Sequence, residues 1–312
     1  MRYKVATITL NPAYDLVGFC PKVALGDVNL VNTTGLHAAG KGINVAKVLR
    51  DLGLDITVSG FLGKENDDGF VQLFEQLKID NQFQTVAGRT RINVKITEET
   101  GDVTDLNFSG FSITEQNWQQ FAKDSLVWLK DFDMIAVSGS LPAGIELDAF
   151  TAWMSQLTKQ CPRVVFDSSR DALIAGLKAS PWLIKPNDKE LEMWSGKSLT
   201  TLDDITNVAQ QLVAQGIANV VVSLGSKGAL WVTKDHVWLA KPPVCKVVST
   251  VGAGDSMVAG LMYGLLGQKT IDETFRLASA VAALSVSQSN VGVPDKNALS
   301  AMIDNIELTA IK

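Results

Sequence analysis

The chain alternates between short apolar runs and longer segments whose apolar residues recur every three or four positions. The first pattern marks strands buried on both faces, the second helices laid against them. In order, it predicts a strand at 5–10, a helix at 42–52 closed by Gly53, a strand at 56–60 and a helix at 67–77. It resumes with strands at 133–137, 163–166, 182–185 and 219–224, interleaved with helices at 147–157, 171–177, 188–194 and 205–215. Helices at 254–266 and 272–287 follow. Strands separated by helices imply right-handed crossovers, so the expected fold class is α/β, a mostly parallel sheet with helices on both faces.

Two stretches break this rhythm. Strand-like runs lie at 15–19 and 29–34, and again at 91–97 and 102–108, the latter pair joined by a turn at Glu99, Thr100 and Gly101. Alternation of apolar and polar residues suits strands exposed on one face. Either these are plain surface hairpins, or they form a small inserted sheet, a lid that closes over a site and excludes water. With no internal repeat and no linker, a single domain over 1–312 is expected, with lid strands at about 15–35 and 89–110.

Composition narrows the function. The 312 residues are 46% apolar and 20% charged, enough for a large core and unlike a disordered chain. Net charge is −5, with no basic field for nucleic acid and no basic amphipathic stretch for a membrane surface. An anion must therefore be held by a local pocket. Cys20, Cys161 and Cys245 are odd in number and far apart, so a disulfide framework is not expected, and all three read as buried apolar residues. Two histidines, His37 and His236, make no metal site; His236 falls in a hairpin turn, and His37 beside a glycine-rich stretch. The first residues carry no signal-peptide pattern, which points to the cytoplasm.

The strongest local chemistry is at Gly252, Ala253, Gly254 and Asp255, which open an apolar helix. Successive amides there form a concave anion cradle, and the helix terminus adds its positive end. That arrangement suits phosphate charge developing during transfer, and Asp255 at its mouth is placed to take the proton of an attacking hydroxyl. The stretch 35–44 nearly spells a P-loop, but Gly42 replaces the Ser/Thr that would hold magnesium and no buried strand precedes it. Gly40, Lys41 and Asn44 at the start of the next helix still suit ligand contact. Asn187 and Glu190 have the spacing of a capping box, and equally that of an oxygen pair for hydrated magnesium. Asp15, just after the first strand, is either a turn residue or an acceptor for sugar hydroxyls. Arg89 and Arg91 alternate to one face, either as solvated edge charges or as two forks on a phosphate. No G-x-G-x-x-G follows the first strand, which argues against a dinucleotide oxidoreductase.

Together, G-K-G-x-N at 40–44, K-P-N-x-x-E at 185–190 and G-A-G-D at 252–255 resemble the ribokinase-like (PfkB) sugar kinases, over nearly the whole chain. The segments at 9–15, 89–93 and 138–142 resemble the family's sugar-phosphate branch. The resemblance implies a kinase using ATP and Mg2+. Asp255 would be its base, Gly252, Ala253 and Gly254 its anion hole, and Asn187 and Glu190 its magnesium-positioning pair. Asp15, Gly40, Lys41, Asn44 and Ser138 would bind the sugar, and Arg89 and Arg91 its phosphate. Lys185, Asn187, Ser223, Gly225, Ser226, Gly228 and Asn290 would line the nucleotide site. The expected acceptor is fructose 1-phosphate; tagatose 6-phosphate and fructose 6-phosphate are the alternatives within the family, and a non-catalytic sugar-phosphate sensor is a remote one. The lid would also clasp a second copy into a homodimer. Two positions depart from the family pattern: Ala39 stands where many members have glycine, and Ser249 where many have aspartate.

Overall fold

Every position from Val5 to Thr9 is buried, as a strand covered by helices on both faces requires. The computed structural model describes residues 3–288 and 290–311. Its elements are β1 (Val5–Thr9), β2 (Ala13–Phe19), β3 (Asn32–Ala39), α1 (Lys41–Asp51), β4 (Ile56–Gly63), α2 (Asp68–Leu77), β5 (Asp80–Val86), β6 (Arg91–Thr97) and β7 (Val103–Asn107). Then come α3 (Glu115–Leu129), β8 (Met134–Ser138), α4 (Leu147–Gln160), β9 (Val164–Asp167), α5 (Arg170–Leu177), β10 (Leu183–Ile184), α6 (Asp188–Ser195), α7 (Leu202–Ala214) and β11 (Asn219–Ser223). The chain closes with β12 (Ala229–Val232), β13 (Val237–Lys241), α8 (Ala253–Leu266), α9 (Ile271–Val286), α10 (Lys296–Asp304) and β14 (Glu307–Ala310).

Among the described residues the strands form two sheets. The larger has ten strands in the order β14-β13-β12-β11-β10-β9-β8-β1-β4-β5. From β5 to β11 all neighbours are parallel, while β12, β13 and β14 add an antiparallel edge. After β1 the chain builds outward through β4 and β5, then returns to the other side of β1 at β8. That reversal opens a crevice at the carboxyl ends of β1 and β8, where open α/β sheets hold their ligands. One core packs α1, α2, α8, α9 and α10 against the sheet; a second, rich in Trp118, Phe121, Phe150 and Trp153, packs α3 to α7 on the other face. α8 is buried along nearly its whole length, between α1 and α9. At Gly260 a Cβ would stand 2.5 Å from the Cα of Ala278, so only glycine permits this approach.

The smaller sheet has four strands in the order β3-β2-β6-β7. Its two hairpins come from separate excursions of the chain, joined by parallel pairing of β2 with β6. The glycine-rich stretch before α1 is mostly strand: β3 runs to Ala39, and only Gly40 turns the chain into the helix. The run expected at 29–34 overlaps its start; what the pattern lacked was its continuation through the glycine-rich stretch, whose polar composition an exposed edge strand tolerates. The pattern also gave no element for α3, β5, α10 or β14. No described helix is long and apolar enough to cross a membrane. All three cysteines are free; Cys20 and Cys161 are buried as expected, while Cys245 is half-exposed in the segment before α8. His236 is exposed in the turn between β12 and β13.

Candidate active site

Gly252, with φ 76°, caps the start of α8, and the side chain of Val291 packs where its Cβ would be. The amides of Gly254 and Asp255 lie in the first turn, where no intrahelical carbonyl exists to accept from them. Ala253 N–H reaches only the Thr250 carbonyl, at 3.5 Å. Asp255 is 6% exposed, and its Oδ2 accepts a hydrogen bond from Asn44 Nδ2 at 2.8 Å. Asn44 is itself buried in the first turn of α1, so two helix N-termini meet at this carboxylate. Burial raises the Asp255 pKa, and the Asp167 carboxylate adds to the rise, while Lys41, Asn44 and Lys185 oppose it.

Asp167, at the end of β9, is the residue that joins the site together. Its side chain is fully buried. Lys41 Nζ donates to both its oxygens at 3.2 Å, and Lys185 Nζ stands 3.6 Å from Oδ1. Burial alone would raise the Asp167 pKa, but Lys185 and Lys41 outweigh it and hold the carboxyl below the usual range. For Lys41, burial opposes the charge, yet Asp167, Asp255 and Glu190 together push its pKa up. The Lys185 amine lies 3.1 Å from where a Cβ on Gly254 would be, so the glycine leaves room for the cation over the turn. Both lysines thus lie near enough to Asp255 to lower its pKa, and both are paired with the one Asp167 carboxylate.

Asn187 caps α6, its Oδ1 accepting from Glu190 N–H at 2.8 Å while Glu190 Oε2 accepts from Asn187 N–H at 2.9 Å. The capping box is therefore formed, and Glu190 Oε1 takes no hydrogen bond among the described residues. Burial raises the Glu190 pKa; the Asn187 amide lowers it and the nearby Asp167 adds to the rise. Asn187 bridges to Ser223 at the end of β11, and the exposed turn holding Gly225 and Ser226 follows, closed by the buried Gly228. Asn290 is exposed, next to the Val291 that packs on Gly252. Lys185, Asn187, Ser223 and the Gly225–Lys227 turn thus follow one sheet edge, with Asn290 beside α8. Ser138, at the end of β8, is buried and its Oγ has no hydrogen-bond partner.

On the smaller sheet, Asp15 Oδ1 accepts from Asn93 Nδ2 at 3.1 Å, and Oδ2 pairs with Lys95 Nζ at 2.7 Å. The two arginines expected to act as one pair sit differently. Arg91 donates to the carbonyls of Asn11 and Pro12 and to Asn93, and burial lowers its pKa. Arg89 lies before β6, in an isolated bridge with Lys64, and is exposed. His37 is exposed on β3, in register with Asp15. Asp167, Asn93 and Lys95 were not singled out from the sequence. Asp167 had a usable signal, an acid ending the buried run V-V-F-D at a sheet's carboxyl edge. A groove of about 920 Å³ between α3 and α4, floored by Trp118 and Trp153, contains none of these residues.

A buried carboxylate at a free helix terminus, with two lysines close enough to act on it, is an arrangement suited to phosphoryl transfer. The chain belongs to the pfkB family of carbohydrate kinases, whose model matches residues 4–298, and it is an ATP-dependent kinase. It is 63% identical over 308 residues to the 1-phosphofructokinase of Escherichia coli K12, covering 99% of both chains. It is 54% identical to that of Haemophilus influenzae, again over 99% of both. Among solved structures it superposes on phosphofructokinase-2 from Escherichia coli in complex with potassium with a TM-score of 0.89 and 28% identity, over 97% of this chain and 98% of that one.

Proposed function

We propose that this chain transfers the γ-phosphoryl group of ATP to the free 6-hydroxyl of fructose 1-phosphate, giving fructose 1,6-bisphosphate and ADP. The observation that carries the reading is Asp255, buried in the first turn of α8 and oriented by Asn44. The identity of 63% to a 1-phosphofructokinase over the whole length supplies the sugar. The region 1–312 acts as one kinase domain, with the four-stranded sheet as its lid.

In this reading the sugar lies between the lid and the carboxyl ends of β1 and β8. Asp15 accepts its hydroxyls, Ser138, Gly40 and Asn44 line the pocket, and Arg89 with the remaining N–H groups of Arg91 meets the existing phosphate. The phosphates of ATP follow Lys185, Asn187, Ser223, Gly225, Ser226 and Gly228, with the base toward Asn290. Asp255 takes the proton as the 6-hydroxyl oxygen attacks the γ-phosphorus in line. The amides of Gly252, Ala253 and Gly254 meet the equatorial oxygens, and Lys41 and Lys185 add charge. A raised pKa suits a base that must both hold ionised and accept a proton.

Magnesium fits the donor set. No described group of three or more His, Cys, Asp or Glu side chains forms a cage, and Mg2+ takes one or two carboxylates, waters and phosphate oxygens rather than a cage. Glu190 Oε1, with Asn187 beside it, is the oxygen that would hold it. When bound, the ion neutralises charge between the β- and γ-phosphates.

A homodimer through the lid belongs to the same reading. Leu36, Leu16, Val94 and Leu106 stand in register across all four strands, and Leu36 and Leu106 are 57% and 48% exposed. A row of this kind is suited to burial by a second copy. The substrates of the reaction place it in the cytoplasm.

A coupled ADP-release assay over fructose 1-phosphate, fructose 6-phosphate and tagatose 6-phosphate tests the assignment. The expected result is the highest kcat/KM for fructose 1-phosphate. A higher value for either other sugar reassigns the substrate, and no release with any of the three removes the kinase reading.

A further inference from the structure

Lys95 takes no part in the reading above, yet it is among the least solvated lysines of the lid. Its side chain is 14% exposed, as is that of Asp15, and the two meet at 2.7 Å. Asp15 and Asn93 are register partners in the parallel pairing of β2 and β6, and Lys95 follows two residues on, so all three project from the same face. Asn93 takes one carboxylate oxygen and Lys95 the other. Arg91 donates to Asn93 and to the carbonyls of Asn11 and Pro12, anchoring the series to the end of β1.

An ionised carboxylate offers about four lone-pair directions. Two are spent on fixed donors, one on each oxygen. What remains is one acceptor site per oxygen, in a plane the protein has already set. Such a group suits two neighbouring hydroxyls at once, and it need not be ordered when they arrive. Without Lys95, the carboxylate would keep only Asn93 and regain rotation about its χ2.

We infer that Lys95 is a positioning residue for sugar recognition: it holds Asp15 so that both oxygens address a vicinal diol of the sugar phosphate. The inference rests on the reading of Asp15 as the sugar-hydroxyl acceptor. Lys95 touches no reacting atom, so its loss acts on binding of one substrate only.

The test is steady-state kinetics of Lys95→Met, Asp15→Asn and the double variant in the full-length chain, with thermal unfolding of each. Lys95→Met is expected to raise KM for the sugar phosphate by about 10-fold, leave KM for ATP within about twofold, and lower kcat by less than the change in KM. The double variant is expected to match Asp15→Asn alone, since the two residues act as one unit. Should Lys95→Met fold poorly, because Asp15 is left without its counter-charge, Lys95→Arg carries the same test. It restores the charge with a shifted donor and is expected to give a smaller rise in the sugar KM alone. An unchanged sugar KM in Lys95→Met beside a raised one in Asp15→Asn overturns the inference and leaves the reading of Asp15 standing. Equal rises in both KM values, or additive effects in the double variant, also overturn it by assigning Lys95 to packing. An unchanged sugar KM in Asp15→Asn removes the reading itself.

Discussion

Asp255 and Asp167 are both buried aspartates in one crevice, and their surroundings send them in opposite directions. Asp255 has a raised pKa, so it contributes stability when protonated and loses it as pH rises through the window from the ordinary 3.8 upward. Asp255→Asn is therefore expected to unfold no earlier than the parent while kcat falls by ~10²–10⁴, read by ADP release and thermal melting side by side. In the proposed mechanism, where the ionised form is the base, the parent's activity should rise with pH through a limb above the ordinary aspartate range. Asp167 has a lowered pKa, so its stabilisation is complete above 3.8 and fades only as pH falls through its depressed value. Asp167→Asn strands two lysines, but the Lys41 side chain is 37% exposed and can turn to water. We expect a loss of about 3 kcal/mol at neutral pH, the low end for breaking a buried pair, measured by denaturant titration. Asp255 could be read from sequence because G-A-G precedes it and a helix follows. Asp167 offered only a general signal, an acid ending a buried strand; its pairing with lysines 126 residues before and 18 after it is connected by no local pattern.

At the scale of elements, α6 opens on a pair of residues whose spacing suits two roles. Spacing alone left Asn187 and Glu190 open between a cap and an ion site, and the cap is present. That does not exclude the other role, because the box uses Glu190 Oε2 and leaves Oε1. Glu190→Gln separates them. Glutamine also closes a capping box, so the melting temperature should hardly move. The Mg2+ concentration for half-maximal activity should rise by about 10-fold, which a metal titration of the rate would show. The elements that the pattern foretold are those with continuous apolar runs, such as β1 and β8, or one-sided helices, such as α7. Those it passed over fail locally. β5 is a polar edge strand, exposed or half-buried at all but its last position. α3 did carry its signals, with Thr114 at the cap and Trp118, Phe121, Ser125 and Leu129 buried at helical spacing.

Across the whole molecule, the larger sheet holds the acids and lysines, and the smaller carries polar side chains on one face and an apolar row on the other. Leu106→Asp puts a charge in that apolar row without touching the crevice. In the dimer reading the variant is expected to run as a single chain in light scattering where the parent runs as two; an unchanged mass would remove the lid interface. The two-excursion origin of the lid was half visible beforehand, as four alternating runs, but their pairing across β2 and β6 was not, because nothing local encodes it.

That pairing has one more consequence, for the order of assembly. β2 and β6 lie 78 residues apart at Asp15 and Asn93, with α1, β4, α2 and β5 between them in the chain. Long-range parallel pairing of this kind forms late, after nearer contacts have shortened the loop. The sugar-facing polar side chains would then come together only on a scaffold that has already folded. A chain stalled partway would display neither a half-built carbohydrate pocket nor a sticky outer stripe to its neighbours.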